Sequence, residues 1–226
     1  MQYLVFLFAI LCSDAFAGQW KAVEMSGDNS IKVFDNARVK VGEILGGRGV
    51  ETIGMLSATR TMQKDGVLAS SAANLEKALN DLKLEDDDSC LIFMTSHGSK
   101  SGFYIAGQPT LTPAILGGIL KRTCGDRVTV MLVSSCYSGV QIDNATVGAN
   151  RIIITAARRD RTSFGCGSEE TYTYWDTCLV ALLPEAKTWE GLHESIKDCV
   201  TAKEGGFKPS LPQISIGQDV KDLEIP

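Results

Sequence analysis

Two apolar runs constrain this chain more than anything else in it. Residues 91–95 (LIFMT) and 128–134 (VTVMLVS) are apolar almost throughout and do not alternate with polar residues. A strand with one face in water alternates, whereas a strand without alternation is covered on both faces. Four further runs at 20–25, 52–56, 151–155 and 213–216 are short and rich in β-branched residues, and read as strands. Between them lie amphipathic patterns at 37–45, 71–84, 113–120, 172–183 and 189–201 that read as helices. Asp35 and Asn36 are cap candidates for the first helix. Thr112 followed by Pro113 marks a helix entry. Strands alternating with helices imply right-handed crossovers and an α/β fold with a mostly parallel sheet covered on both sides. Gly46-Gly47 and Gly205-Gly206 read as helix stops, and residues 102–105 as a small extra hairpin.

In open α/β sheets the working groups collect beyond the carboxyl ends of the strands. One buried run leads there into His97-Gly98, and the other into Ser134-Ser135-Cys136-Tyr137-Ser138-Gly139. A thiol at its free pKa is a poor nucleophile and needs a base, most often imidazole. The chain has two histidines, and His97 ends a strand, whereas His193 flanks the apolar stripe Leu192, Ile196 and Cys199 as a partly exposed helix-surface residue. Gly98 suits an oxyanion donor, because its N–H can approach a carbonyl with no side chain in the way, and the N–H of Cys136 is the second donor. The bland alternatives are a capping histidine at 97 and an inert core cysteine at 136. A third segment, Arg158-Arg159-Asp160-Arg161-Thr162-Ser163, leaves the next strand in the same region, as a solvated loop or as the rim of a cleft.

Residues 3–11 (YLVFLFAIL) are too short to span ~30 Å of hydrocarbon, and Ala15-Phe16-Ala17 follows them. The segment reads as a secretory leader over residues 1–17, cleaved after Ala17, although Met1-Gln2 carries no Lys or Arg. Residues 18–226 then form a single domain outside the cytoplasm, with no integral membrane span. Cleavage removes Cys12 and leaves Cys90, Cys124, Cys136, Cys166, Cys178 and Cys199. In an oxidising compartment these should mostly pair. If Cys136 stays free, at most two bridges form and one more thiol is left over. Cys178 with Cys199 and Cys90 with Cys124 are candidate pairs, with Cys166 able to take either helix cysteine. No CxxC or Cys/His spacing signals zinc. A net charge of −5 with no long basic run argues against nucleic acid as a partner.

TSHGSKSGF, VSSCYSG and ITAARRDRTSFGCG, in this order, resemble the legumain-like C13 family of cysteine peptidases in the caspase-type clan. The opening segment MSGDNSIKVFDNA resembles its bacterial members. The resemblance implies a caspase-like three-layer α/β/α sandwich and a His97/Cys136 dyad. It also implies cleavage of peptide or protein substrates without a metal or organic cofactor. It leaves the oligomeric state open. Ser134 stands where legumains of animals and plants have a Glu, and Asp35-Asn36 stand where they have an Arg-His pair that binds an Asn side chain. Specificity for Asn is therefore not implied. Asp35 and Asp160 suit a basic P1 residue instead, unless they cap a helix or pair with neighbouring arginines, and Thr162 and Ser163 join Ser134 and Asn36 as substrate-binding candidates.

Two other readings compete. In an α/β-hydrolase with a Cys nucleophile the histidine follows the nucleophile in the chain, which would put His193 to work. In a degenerate family member the site binds peptides or a partner and cleaves nothing.

Overall fold

The computed structural model describes residues 18–206 and 208–226. The proposed leader lies outside them. Seven strands form one sheet: β1 (Trp20–Ser26), β2 (Glu51–Ser57), β3 (Val67–Ala69), β4 (Ser89–Thr95), β7 (Thr129–Ser134), β8 (Arg151–Thr155) and β9 (Gln213–Ile216). Their order is β3-β2-β1-β4-β7-β8-β9, parallel except for β9, which runs antiparallel to β8. A two-stranded hairpin of β5 (Gly98–Ser99) and β6 (Gly102–Phe103) follows β4. This is the extra hairpin, started four residues earlier than the glycine at 102 suggests.

Three helices cover one face of the sheet: α1 (Val33–Gly47), α4 (Tyr174–Leu182) and α5 (Trp189–Glu204). Their Val41, Leu45, Trp175, Leu179, Leu192 and Ile196 share a core with Leu91, Phe93, Val130, Leu132, Ile152 and Ile154. On the other face α2 (Ala72–Asp81) and α3 (Pro113–Thr123) pack Leu75, Leu79, Leu116 and Leu120 against Ile92, Met94, Met131, Val133 and Ile153. Successive residues of one strand therefore enter opposite cores, which is why the central runs never alternate.

The expected helix entry at Thr112 is present, its hydroxyl accepting from Ile115 N at 3.3 Å. The first helix differs. It begins at Val33, so Asp35 and Asn36 lie inside its first turn and cap nothing. Val33, Phe34, Ala37, Val41 and Leu45 are its buried stripe, and Phe34 starts the helix a turn early because it is needed in the core. His193 also departs from expectation. It is 3 % exposed, because the buried face of α5 takes in Leu192, His193, Ile196 and Val200 together. Both candidate disulfides are formed, Cys90–Cys124 and Cys178–Cys199, with Cα separations of 6.0 and 5.9 Å. Cys136 and Cys166 are free. Among the described residues no helix is long and apolar enough to cross a membrane.

Candidate active site

Strands β4 and β7 pair in parallel with Thr95 opposite Ser134, so the segments that leave them emerge side by side. Ser96 N donates to Ser134 O at 3.0 Å and carries the pairing one step past the strands. Gly98 lies against the Cys136 turn, and a β carbon there would meet the Cys136 carbonyl oxygen at 2.1 Å and Ser135 Oγ at 2.7 Å. The hairpin fixes what its N–H does. Tyr104 N donates to His97 O at 3.1 Å, which makes 97 and 104 a hydrogen-bonded pair. Pairs in an antiparallel ladder alternate, so Gly98, opposite Phe103, is the non-bonded pair and directs its N–H away from β6. The His97 ring sits edge-on against buried Phe34 of α1, with centroids 5.1 Å apart and planes at 80°.

Cys136 occupies the turn after β7, half-buried. Tyr137 behind it is left-handed at φ 56°, a conformation that costs a non-glycine residue about 1–3 kcal/mol and persists only where neighbours enforce it. Here its N–H is tied to Arg161 O at 2.7 Å. The following loop also closes on the sulfur. Ser163 N lies 3.4 Å from Cys136 Sγ, and the thiol faces Ser163 O at 3.6 Å. Burial raises the thiol pKa, and the N–H groups of Ser163 and of Cys136 itself pull partly against it. The resting sulfur is thus a protonated thiol at neutral pH and needs a base to become a nucleophile.

Of the residues picked from sequence, His97, Gly98, Cys136, Ser134 and Ser163 converge here. Thr162, exposed, stands next to them. Asp35 and Asn36 lie on α1, directly after the Phe34 that the His97 ring packs on. They line a 690 Å³ groove along α1 together with Lys32, Thr59 and Tyr172, and neither His97 nor Cys136 borders it. Asp35 is also committed, accepting from Ser26 Oγ at 2.6 Å, Ser57 Oγ at 2.8 Å and Arg38 Nε at 3.4 Å. Asn36 donates to Thr171 O at 3.0 Å. Asp160 is held by Arg158 through two bonds of 2.6 and 3.0 Å, which, with Arg161, bring its pKa down to about 2. It faces a different hollow, shared with Arg158, Arg159 and Gln213.

Asp176 was not anticipated. It is fully buried at the start of α4, receives Thr95 Oγ1 at 2.9 Å on its side chain, donates its backbone N–H to Thr173 Oγ1 at 3.0 Å, and has the hydroxyls of Ser134 and Thr173 nearby. Its Oδ1 has no partner. Burial raises its pKa to about 6 against these hydrogen bonds. The available signal was an acid on the apolar side of the helix YWDTCLVAL. Cys166, half-buried, is the second unanticipated neighbour. Burial, then the charges of Cys136, Asp176 and Asp28, push its thiol up to about 12. His193 has no place in this group, its Nε2 lying 3.9 Å from Glu194 on α5. The hydrolase reading therefore lacks its base.

A family model described as the peptidase C13 family matches residues 58–203, a span that includes the histidine, the cysteine and the loop that closes over it. Among solved structures, caspase-1 of Spodoptera frugiperda superposes with a TM-score of 0.64 at 11% identity, over 88% of this chain and 87% of that one. At that identity the likeness concerns the fold, a caspase-like α/β sandwich. No curated protein matches the chain.

Proposed function

The chain belongs to the peptidase C13 family, and from that premise we propose that it is an exported cysteine endopeptidase with a His97/Cys136 dyad. Its substrates are peptides or proteins. His97 takes the Cys136 proton, and the sulfur attacks the scissile carbonyl. The oxyanion is received by the N–H groups of Gly98 and Cys136. When the tetrahedral adduct collapses, His97 returns the proton to the leaving amine. Water then hydrolyses the thioester, or an acceptor amine takes the acyl group and the product is a new peptide bond. The observation that carries this reading is the packing of Gly98 on the Cys136 backbone, which places a histidine, a thiol and a free N–H at one pair of strand ends. The two disulfides support an oxidising location outside the cytoplasm.

Asp160 is held through both oxygens by Arg158, and Asp35 accepts three bonds on one oxygen, Oδ1, which weighs against either holding P1 directly. Ser134, Thr162 and Ser163 remain as the P1 candidates, Thr162 exposed and Ser134 buried with its hydroxyl on Thr173. Their hydroxyls favour a P1 side chain that donates hydrogen bonds, basic or carboxamide. The test is a peptide-library digest with wild type, His97→Ala and Cys136→Ala. Cleavage should vanish in both variants while their circular dichroism stays native. Turnover in a pure Cys136→Ala preparation would refute the mechanism. A folded wild type that binds library peptides and cuts none would establish the degenerate binding module instead.

A further inference from the structure

Two thiols share the candidate site, and peptide hydrolysis uses one. Among the described residues Cys136 and Cys166 are the cysteines left free, both half-buried, and the four other described cysteines are bridged. We propose that Cys136 and Cys166 form a thiol–disulfide pair, which a small-molecule disulfide closes into an intramolecular bridge and a thiol reductant reopens. That closure silences the enzyme rests on the reading of Cys136 as its nucleophile.

The loop carrying Cys166 is pinned to the site at three points. Arg161 O accepts from Tyr137 N at 2.7 Å, the Ser163 backbone touches Cys136 Sγ, and Phe164 O accepts from Tyr174 N at 3.0 Å. Cys166 follows Ser163 by three residues, which reach at most about 11 Å when extended. They are not extended. Gly165 turns the chain at φ 88°, tightly enough that a β carbon would lie 2.5 Å from Tyr174 N. Cys166 is therefore held within that reach of the Ser163 backbone that contacts Cys136 Sγ, and Cys136 and Asp176 both act on its thiol electrostatically. A bridge needs the two Cα atoms about 4.4–6.8 Å apart, and this loop is the element that supplies the approach.

The exchange balances without a further oxidant. The Cys136 thiol passes its proton to His97, and the thiolate attacks one sulfur of the disulfide RSSR. A mixed disulfide forms, and RS⁻ leaves to take that proton. Cys166 then loses its proton to solvent and attacks the Cys136 sulfur. The second RS⁻ departs and is protonated. Two protein thiols are oxidised and one RSSR is reduced to two RSH.

The test uses the full chain, first reduced under native conditions, then treated with oxidised glutathione and mapped without reduction by mass spectrometry. Expected is a peptide joining Cys136 to Cys166 with no glutathione retained. Maleimide labelling of Cys136 is lost and returns with dithiothreitol. In Cys166→Ser the glutathione should stay on Cys136, because nothing resolves it. Wild type that keeps glutathione on Cys136, or whose two thiols both remain open to maleimide, overturns the proposal, and this readout needs no variant to fold. Peptide cleavage by the reduced chain is read separately. A cross-link in a chain that cleaves nothing sinks the peptidase reading and leaves the pair standing, and cleavage without a cross-link does the reverse.

Discussion

Gly98 packs so closely on Cys136 that a β carbon at residue 98 would stand 2.1 Å from the Cys136 carbonyl oxygen. No side chain fits there without moving the Cys136 turn or the hairpin that carries the Gly98 N–H. Gly98→Ala should therefore lower kcat/KM by about 10²-fold, the usual cost of losing one oxyanion donor. His97 and Cys136 are untouched, so maleimide should still label Cys136. A fluorogenic peptide assay beside that labelling checks both halves. Unchanged turnover in Gly98→Ala would remove Gly98 from the oxyanion site.

Asp176 predicts a pH dependence whose sign follows from its burial. Unfolded, the carboxyl ionises near 3.8, and folded, near about 6. Between those values the unfolded chain has given up a proton that the folded chain still holds, so rising pH favours unfolding. The contribution is favourable below pH 3.8 and is lost as pH rises through about 6. Asp176→Asn keeps an acceptor for Thr95 and cannot ionise. Relative to wild type it should gain about 2–3 kcal/mol between pH 4 and pH 7, since each pH step separating the two ionisations is worth about 1.4 kcal/mol. Buried His193 has a lowered pKa and acts in the opposite sense, losing stability as pH falls below its unfolded 6.5. Both chains carry it, so it cancels in the difference. Urea unfolding at several pH values measures the gap, and a gap that does not change with pH would mean that Asp176 is not ionising in a buried site.

Legibility from sequence followed the physics of each residue. The central strands were plain, because burial on both faces leaves an unbroken apolar run. The short edge strand β3 was not, since three residues carry no period. β9 was visible as a strand, but its direction was not, because direction is set by the path from α5 rather than by QISI itself. That His97, Gly98 and Cys136 come together was legible, because each follows a buried strand and those two strands pair. Asp35 was misread as a cap, since a helix N-terminus and a buried carboxylate held by Ser26 and Ser57 look alike when those partners lie on other strands. The alternative weighed for Asp160, a pair with a neighbouring arginine, is present, with Arg158 two residues before it and Arg161 one after. Asp176 needed the fold, because Thr95 is 81 positions away in the chain.

Arg48 predicts where the last segment is held. Its guanidinium donates to the carbonyl oxygens of Pro226 at 2.7 Å, Pro184 at 2.6 Å, Ala186 at 2.9 Å, and Leu183 and Ile225 at 3.3 Å. One side chain thus joins the end of α1, the link from α4 to α5 and the segment at 225–226. Arg48→Ala should cost about 2–3 kcal/mol, the range for losing charged hydrogen bonds that leave half-buried carbonyls open. Arg48→Lys should recover little, because an ammonium cannot span the fork that a planar guanidinium fills. Urea midpoints for the three chains decide it. Full recovery with lysine would mean that charge alone matters at this site.

The two disulfides make the last prediction, and it separates two accounts of what they do. If they act by restricting the unfolded chain, the longer loop contributes more. Cys90 and Cys124 are 34 residues apart and Cys178 and Cys199 are 21. The chain-entropy relation then assigns about 3.8 kcal/mol to the first and about 3.3 kcal/mol to the second. Paired alanine variants suit the comparison, since Cys90, Cys124 and Cys178 are fully buried and a serine hydroxyl there would add an unpaired polar group. The pairs sit in different cores, Cys90 and Cys124 on the α2–α3 side and Cys178 and Cys199 on the α4–α5 side, so their losses should add. Denaturant unfolding of each double variant and of the quadruple variant gives the values. A larger loss for the shorter loop would show that packing around the sulfurs, rather than unfolded-chain entropy, sets what each bridge contributes.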